Sequence, residues 1–189
     1  MTTIPLLLLD FYKCTHAEQL SADMAYLVSY YTARMSRIKG QDYVINFGLQ
    51  YFCKHYLIDT FNKYFFELSE DEVMQQYESV LDATMGEGSY NSDKIRALHQ
   101  LGYLPLELAE IPEGTKVPIK VPMIQIKNTH PDFAWLTNTI ESLMSATLWH
   151  IQVSANVGYE YRQIVNRWYG MTVDEASVNE ELCVNKAPR

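Results

Sequence analysis

The sequence predicts an α+β fold, and three observations predict it. Apolar residues recur at three- and four-residue spacing over several long stretches, the period of an amphipathic helix. Between two such stretches, Leu104, Leu106 and Leu108 alternate with Pro105, Glu107 and Ala109, the period of a strand. Boundary residues also fall in place: Ser69 and Glu72 have capping-box spacing, and Gly86 and Gly102 stand where helices should stop.

Taken in order, the apolar run Leu6–Leu9 reads as a short buried strand ending at Asp10. Ala25–Ala33, rich in Val and Tyr, reads as a second strand, and Ser36–Asp42 as a basic loop around Gly40. From about Val44 to Phe66 the spacing of Val44, Phe47, Tyr51, Ile58, Phe61 and Phe65 predicts a helix. Gly48 interrupts it at a cost of about 1 kcal/mol relative to Ala, so close packing or a close backbone approach is expected there. Ser69 opens a helix that Gly86 ends, and Ser92 opens another that Gly102 ends.

Leu104–Asn128 predicts a small antiparallel β module, with Ile111–Gly114 as a type I turn and Met123–Lys127 as a strand. Two helices follow. The first is capped by Thr129, carries Pro131 in its first turn, and has Phe133, Leu136, Ile140, Leu143, Met144 and Thr147 on one face. The second begins after Ser154 and ends at Gly170, with a polar tail, Met171–Arg189, beyond it.

Bulk properties narrow the function classes. At 189 residues and 48% hydrophobic, the chain can bury a core and amounts to one domain, or one domain and part of another. A net charge of −8, from 15 basic and 23 acidic residues, argues against nucleic acid or an anionic membrane as partner. Cys14, Cys53 and Cys183 lie far apart with no C-x-x-C pair, which suits reduced thiols in a cytoplasmic protein. Leu6–Leu9 is too short for a secretory signal, and no stretch has the length of a membrane span.

Chemical motifs are sparse. The sequence has no P-loop and no nucleophile elbow, and Gly86-Glu87-Gly88 is a turn rather than a dinucleotide fingerprint. His16, His55, His99, His130 and His150 show no zinc-ligand spacing. One constellation stands out: Asp10, Tyr12, Lys13, Thr15 and His16, crowded behind the first apolar run. Residues alone leave two readings open, a polar loop capped by Asp10 or ligand groups at a strand end. Arg34 and Arg37 follow the second strand, either as a phosphate-binding fork or as surface charge.

Five segments together resemble the nicotinamide phosphoribosyltransferase family. They are LLLLDFYKCTH (Leu6–His16), VSYYTAR (Val28–Arg34), FGLQYFCKHYL (Phe47–Leu57), LPLELAEIPEGTKVP (Leu104–Pro118) and NTHPDFAWLTNTIES (Asn128–Ser142), in family order.

The resemblance implies a type II phosphoribosyltransferase that transfers phosphoribosyl from phosphoribosyl pyrophosphate to nicotinamide with Mg²⁺, in NAD salvage. It implies a homodimer whose active sites form between subunits. Tyr12 resembles the tyrosine that stacks on nicotinamide from the neighbouring subunit, and Arg34 an arginine that holds a phosphate. Asp10 and Lys13, in the same motif, are expected near that interface. The family's base pocket, phosphohistidine and phosphoribosyl loops lie on an α/β barrel.

The expected organisation is therefore an N-terminal domain, residues 1–150, followed by a helix and tail, 151–189, that lead toward a missing barrel. No catalytic residue and no metal ligand is expected on this chain, and activity is expected only when the barrel domain or a second subunit completes it. Two other readings remain: a stand-alone binding or dimerisation module, and a nicotinate-specific relative.

Overall fold

The computed structural model describes residues 4–21 and 23–173, and among these the chain is α+β. The helices are α1 (His16–Gln19), α2 (Leu49–Phe52), α3 (Glu70–Met85), α4 (Asp93–Leu101), α5 (Leu136–Thr139) and α6 (Glu141–Thr172). The strands are β1 (Val28–Thr32), β2 (Tyr43–Ile45), β3 (Leu106–Glu110), β4 (Lys116–Pro118) and β5 (Pro122–Asn128). They form a three-stranded antiparallel sheet, β1-β5-β3, and a two-stranded one, β2-β4, with no closed barrel among the described residues. The reading of the tail, with Cys183, lies outside the described residues from 174 onward.

The core is one cluster of aromatic and aliphatic side chains. Phe52, Phe61 and Phe65 pack with Val73, Tyr77 and Leu81 of α3 and Leu98 of α4. Met123, Ile124 and Ile126 of β5 join Leu136, Met144 and Leu148. Locally encoded features appear as the sequence predicts. Ser69 Oγ accepts from the Glu72 amide at 3.3 Å, and the Glu72 carboxylate accepts from the Ser69 amide at 3.0 Å. Gly86 and Gly102 end α3 and α4 at φ +92° and +79°. The β3–β5 pairing confirms the antiparallel module, but β5 also pairs with β1, and β4 is taken up by β2.

Five local expectations are corrected. Leu6–Leu9 is not a strand: Pro5–Leu7 is a 3-10 turn, with the Leu8 amide bonded to Pro5 O at 3.0 Å. Pro5 fixes φ for a helical start, Ile4 and Leu6 are buried and Leu8 is exposed, so the run anchors one side only. The helix does not begin at Val44. Tyr43–Ile45 pairs with β4, and helical geometry starts at Leu49 and runs on as a wider, i→i+5 bonded helix over Cys53–Thr60 and Asn62–Phe66.

The turn is shifted by one residue: Thr115 N bonds Pro112 O at 3.2 Å and Gly114 sits third, at φ +86°, which is the glycine position of a type II turn. Thr129 caps nothing; its amide bonds Pro105 O, and the His130 ring accepts from the Asp132 amide ahead of the turn Pro131–Phe133. The two expected helices after it merge. From Glu141 to Thr172 the helix is continuous, and Ser154 Oγ donates back to His150 O at 3.0 Å instead of opening a new helix.

Gly48 explains itself. It sits at φ +105°, and a Cβ there would lie 2.7 Å from Ile151 Cγ2 on α6. Its amide and that of Gln50 donate to Glu113 Oε1 at 2.8 and 3.4 Å, so a carboxylate from the β3–β4 turn caps α2. Gly48→Ala should therefore cost about 2 kcal/mol or more in urea unfolding, from backbone strain and overpacking together.

Ser69→Ala should cost about 1 kcal/mol. Hydrogen bonds from Ser69 hold the Glu72 carboxyl below its ordinary value of 4.5. The folded-state pKa is depressed, so this contribution is complete above 4.5 and lost as pH falls through the folded value. The gap between wild type and Ser69→Ala should accordingly shrink on acidification.

Candidate functional site

The polar turn behind the first apolar run is a 3-10 helix, Phe11–Thr15, opened by Asp10 in extended conformation. Its geometry sorts the residues that the sequence groups together. Tyr12 points outward and is 60% exposed, its ring edge-on to His16 at 5.0 Å between centroids. Lys13 points inward and is 3% exposed.

The Lys13 ammonium donates to Glu141 Oε2 at 2.8 Å and to Asn138 O at 3.2 Å, with Asp10 Oδ2 at 3.9 Å. Asp10 is tied to the same place: its amide donates to Ser142 Oγ at 3.0 Å, and that hydroxyl donates to Asp10 Oδ2 at 2.7 Å. Both carboxylates are half exposed while the ammonium between them is not. A buried ammonium needs its donors satisfied, and here α5 and the start of α6 supply the acceptors.

Glu141, Asn138 and Ser142 were not singled out from sequence. They lie in the NTHPDFAWLTNTIES segment that carries the resemblance, and Glu141 is the acid in the first turn of α6.

Cys14 and a small cavity lie beneath the turn. Burial pushes the Cys14 thiol above its ordinary 9.0, so at neutral pH it is a thiol and not a nucleophile. The cavity, lined by Leu6, Lys13, Cys14, Tyr77, Trp135 and Thr139 among others, measures about 20 Å³. That is room for about one water molecule, far below the volume of a pyridine ring.

Arg34 is elsewhere. Asn138 joins the turn to the start of β1, since its carbonyl accepts from Lys13 and its Oδ1 from Ser29 Oγ at 2.7 Å. Arg34 leaves the far end of β1, on the order of 16 Å further along the strand. It is exposed and, like the nearby Arg37, makes no ion pair among the described residues. Thr15 donates to Tyr12 O at 3.2 Å and serves the turn itself. Within one chain, then, Asp10 and Lys13 meet, Tyr12 faces outward beside them, and Arg34 stands apart. Among the described residues no three His, Cys, Asp or Glu side chains gather as a metal-binding set, and no helix is long and apolar enough to cross a membrane.

No family model matches the chain. It is 38% identical over 169 residues to the nicotinamide phosphoribosyltransferase of Acinetobacter baylyi, a match that covers 87% of this chain and 34% of that protein. The chain thus spans about a third of the length of the curated relative it matches. Its fold is that of part of human nicotinic acid phosphoribosyltransferase in the crystal, with a TM-score of 0.59 at 19% identity, covering 82% of this chain and 28% of that one. The chain is a homologue of the nicotinamide phosphoribosyltransferase family and corresponds to the N-terminal portion of a type II phosphoribosyltransferase.

Proposed function

We propose that this chain is the part of a nicotinamide phosphoribosyltransferase that presents Tyr12 and Arg34 to an active site completed by other polypeptide. The reaction joins nicotinamide to the phosphoribosyl group of phosphoribosyl pyrophosphate, giving nicotinamide mononucleotide and pyrophosphate in cytoplasmic NAD salvage. The observation that carries the reading is the outward face of the N-terminal turn. Tyr12, within a segment of family resemblance, holds a flat ring 60% exposed while its neighbour Lys13 is fully engaged inside. A ring in that position suits stacking on a pyridine. An exposed arginine, with no ion pair among the described residues, suits a phosphate, which its planar fork of donors binds in bidentate fashion.

The separation of Tyr12 from Arg34 supports a site shared between subunits, because the two do not frame one pocket within a single chain. A homodimer in which each N-terminal region faces the barrel of its neighbour accommodates both. In this reading Asp10 and Lys13 shape the turn beside the substrate, Asp10 with a half-exposed carboxylate toward the interface. Lys13 works from within by holding the turn to Glu141.

Nicotinamide rather than nicotinate is preferred because the curated relative is a nicotinamide enzyme. Mg²⁺ belongs to the complete enzyme. In this reading no step on this chain runs through it. Expelling pyrophosphate needs several cations and oriented donors around the leaving group. This chain contributes Arg34 to that requirement, so the isolated chain is expected to be inactive. It is also expected to show no submicromolar binding of nicotinamide mononucleotide by calorimetry; such binding would overturn the shared-site reading.

Substitutions separate the roles. In the complete enzyme, with Tyr12 and Arg34 in the same sequence context, Tyr12→Ala and Arg34→Ala should each lower kcat/KM about 10- to 100-fold. Each should leave the unfolding midpoint near wild type. Glu141→Ala should do the reverse in the isolated chain, costing about 2 kcal/mol in urea unfolding by leaving the Lys13 ammonium short of an acceptor. Unchanged kinetics for both Tyr12→Ala and Arg34→Ala would remove the basis of the proposal.

A further inference from the structure

Lys120 is the one non-glycine residue at positive φ among the described residues, at +72°. It stands third in a turn that the Val121 amide closes on Pro118 O at 3.1 Å, which is the glycine position of a type II turn. A side chain there strains the backbone, and retained strain calls for a use of that side chain. Neither packing nor pairing supplies one. Lys120 is exposed and makes no ion pair among the described residues.

The neighbours of the turn do supply one. The Lys120 amide donates to Ala33 O at 2.8 Å, and the Ile119 amide donates to Asp42 O at 2.8 Å. Residues 34–42 therefore leave the body of the molecule as a loop pinched at its base by two adjacent residues, a form that often carries function. The first of these bonds sets Lys120 beside the backbone of Arg34, on the order of 6 Å between Cα atoms. Loop and turn together hold Arg34, Arg37, Lys39 and Lys120 against the single acid Asp42, in a chain whose net charge is −8. None of the four cations has an ion pair among the described residues. Like charges gathered on one small surface repel, and an anion bound among them relieves the repulsion.

We infer that Lys120 is a phosphate-binding residue that meets the same anion as Arg34, and that this anion is a pyrophosphate group. The role of Arg34 is taken from the proposed function; the geometry of the turn adds Lys120. A phosphate monoester carries about two negative charges, and four cations match the larger charge of a pyrophosphate better. The two side chains complement each other. A guanidinium meets two oxygens in one plane, and an ammonium on a flexible stem brings a point charge to a third. Glycine would fit the turn with less strain and would bring no charge.

Inorganic pyrophosphate titrated into the full chain at low ionic strength, followed by amide NMR shifts, tests this. Saturable shifts should centre on residues 33–42 and 118–121, and inorganic phosphate should bind more weakly. Lys120→Gly should weaken pyrophosphate at least about 5-fold, the scale of one charged hydrogen bond. The same variant should melt about 2 °C or more above wild type, because glycine relieves the strain. Lys120→Asn, which also accepts the left-handed conformation, should lose affinity alike. Lys54→Ala, at an exposed lysine elsewhere, should bind as wild type does. A chain with no saturable pyrophosphate binding would overturn the inference. So would a Lys120→Gly that binds like wild type, or a Lys54→Ala that loses as much. If Arg34→Ala loses pyrophosphate and Lys120→Gly does not, the inference fails and the reading of Arg34 stands. If Lys120→Gly loses pyrophosphate while Tyr12→Ala and Arg34→Ala leave the kinetics of the complete enzyme unchanged, the anion site stands and the transferase reading fails.

Discussion

The architecture turns on one close approach, that of Ile151 on α6 to the bare backbone of Gly48. Because Gly48 has no side chain, α6 lies directly over the start of α2, and three segments distant in sequence converge there. Around that contact most polar groups are paired, although Gln41 Oε1 is buried without a partner among the described residues. The Asn46 amide donates to Glu110 Oε2 and to Ile111 O at 2.8 and 2.5 Å, and its Oδ1 accepts from Gln152 at 3.4 Å. Asn156 Oδ1 accepts from Gln41 at 2.9 Å and from the Ile45 amide at 3.3 Å. These bonds fix the register of α6 against both sheets, at the cost of the one oxygen left unpaired. Burial pushes the Glu110 carboxyl above its ordinary range, and the hydrogen bond from Asn46 offsets part of that rise.

With α6 so placed, its two ends take different duties. The first turn meets the N-terminal segment and gives Lys13 its carboxylate acceptor, which leaves Tyr12 on the outside of that segment's turn. The other end leaves the body of the molecule with its apolar positions bare. One continuous helix therefore joins the N-terminal turn to an exposed apolar stripe.

Features that rest on neighbours in sequence were legible before any coordinates. The capping box at Ser69 and Glu72 and the left-handed glycine at 102 are local chemistry, and so is the alternation in Leu106–Glu110. What escaped reading was decided by distant partners. Tyr43–Ile45 continues a helical pattern by spacing, yet the unpaired edge of Lys116–Pro118 claims it as a strand. Ser154 has the chemistry of a helix start, yet Gln152 and Asn156 on either side are both pinned by other segments and hold the helix straight through it. Leu6–Leu9 has a strand's composition but no partner strand. The site divides the same way. Tyr12 and Lys13 are one residue apart and indistinguishable by type as ligand groups; only Glu141, 128 residues on, turns the lysine inward.

That distance sets an order of events during synthesis. The Lys13 ammonium has its acceptors only after the Asn138–Glu141 stretch has been made, and a ribosome adding 5–20 residues per second takes on the order of ten seconds to reach it. Until then the first turn of the protein carries an unmatched charge that water holds away from the nascent core. The Phe11–Thr15 turn is thus made well before it can dock, and it settles only after the start of α6 has emerged.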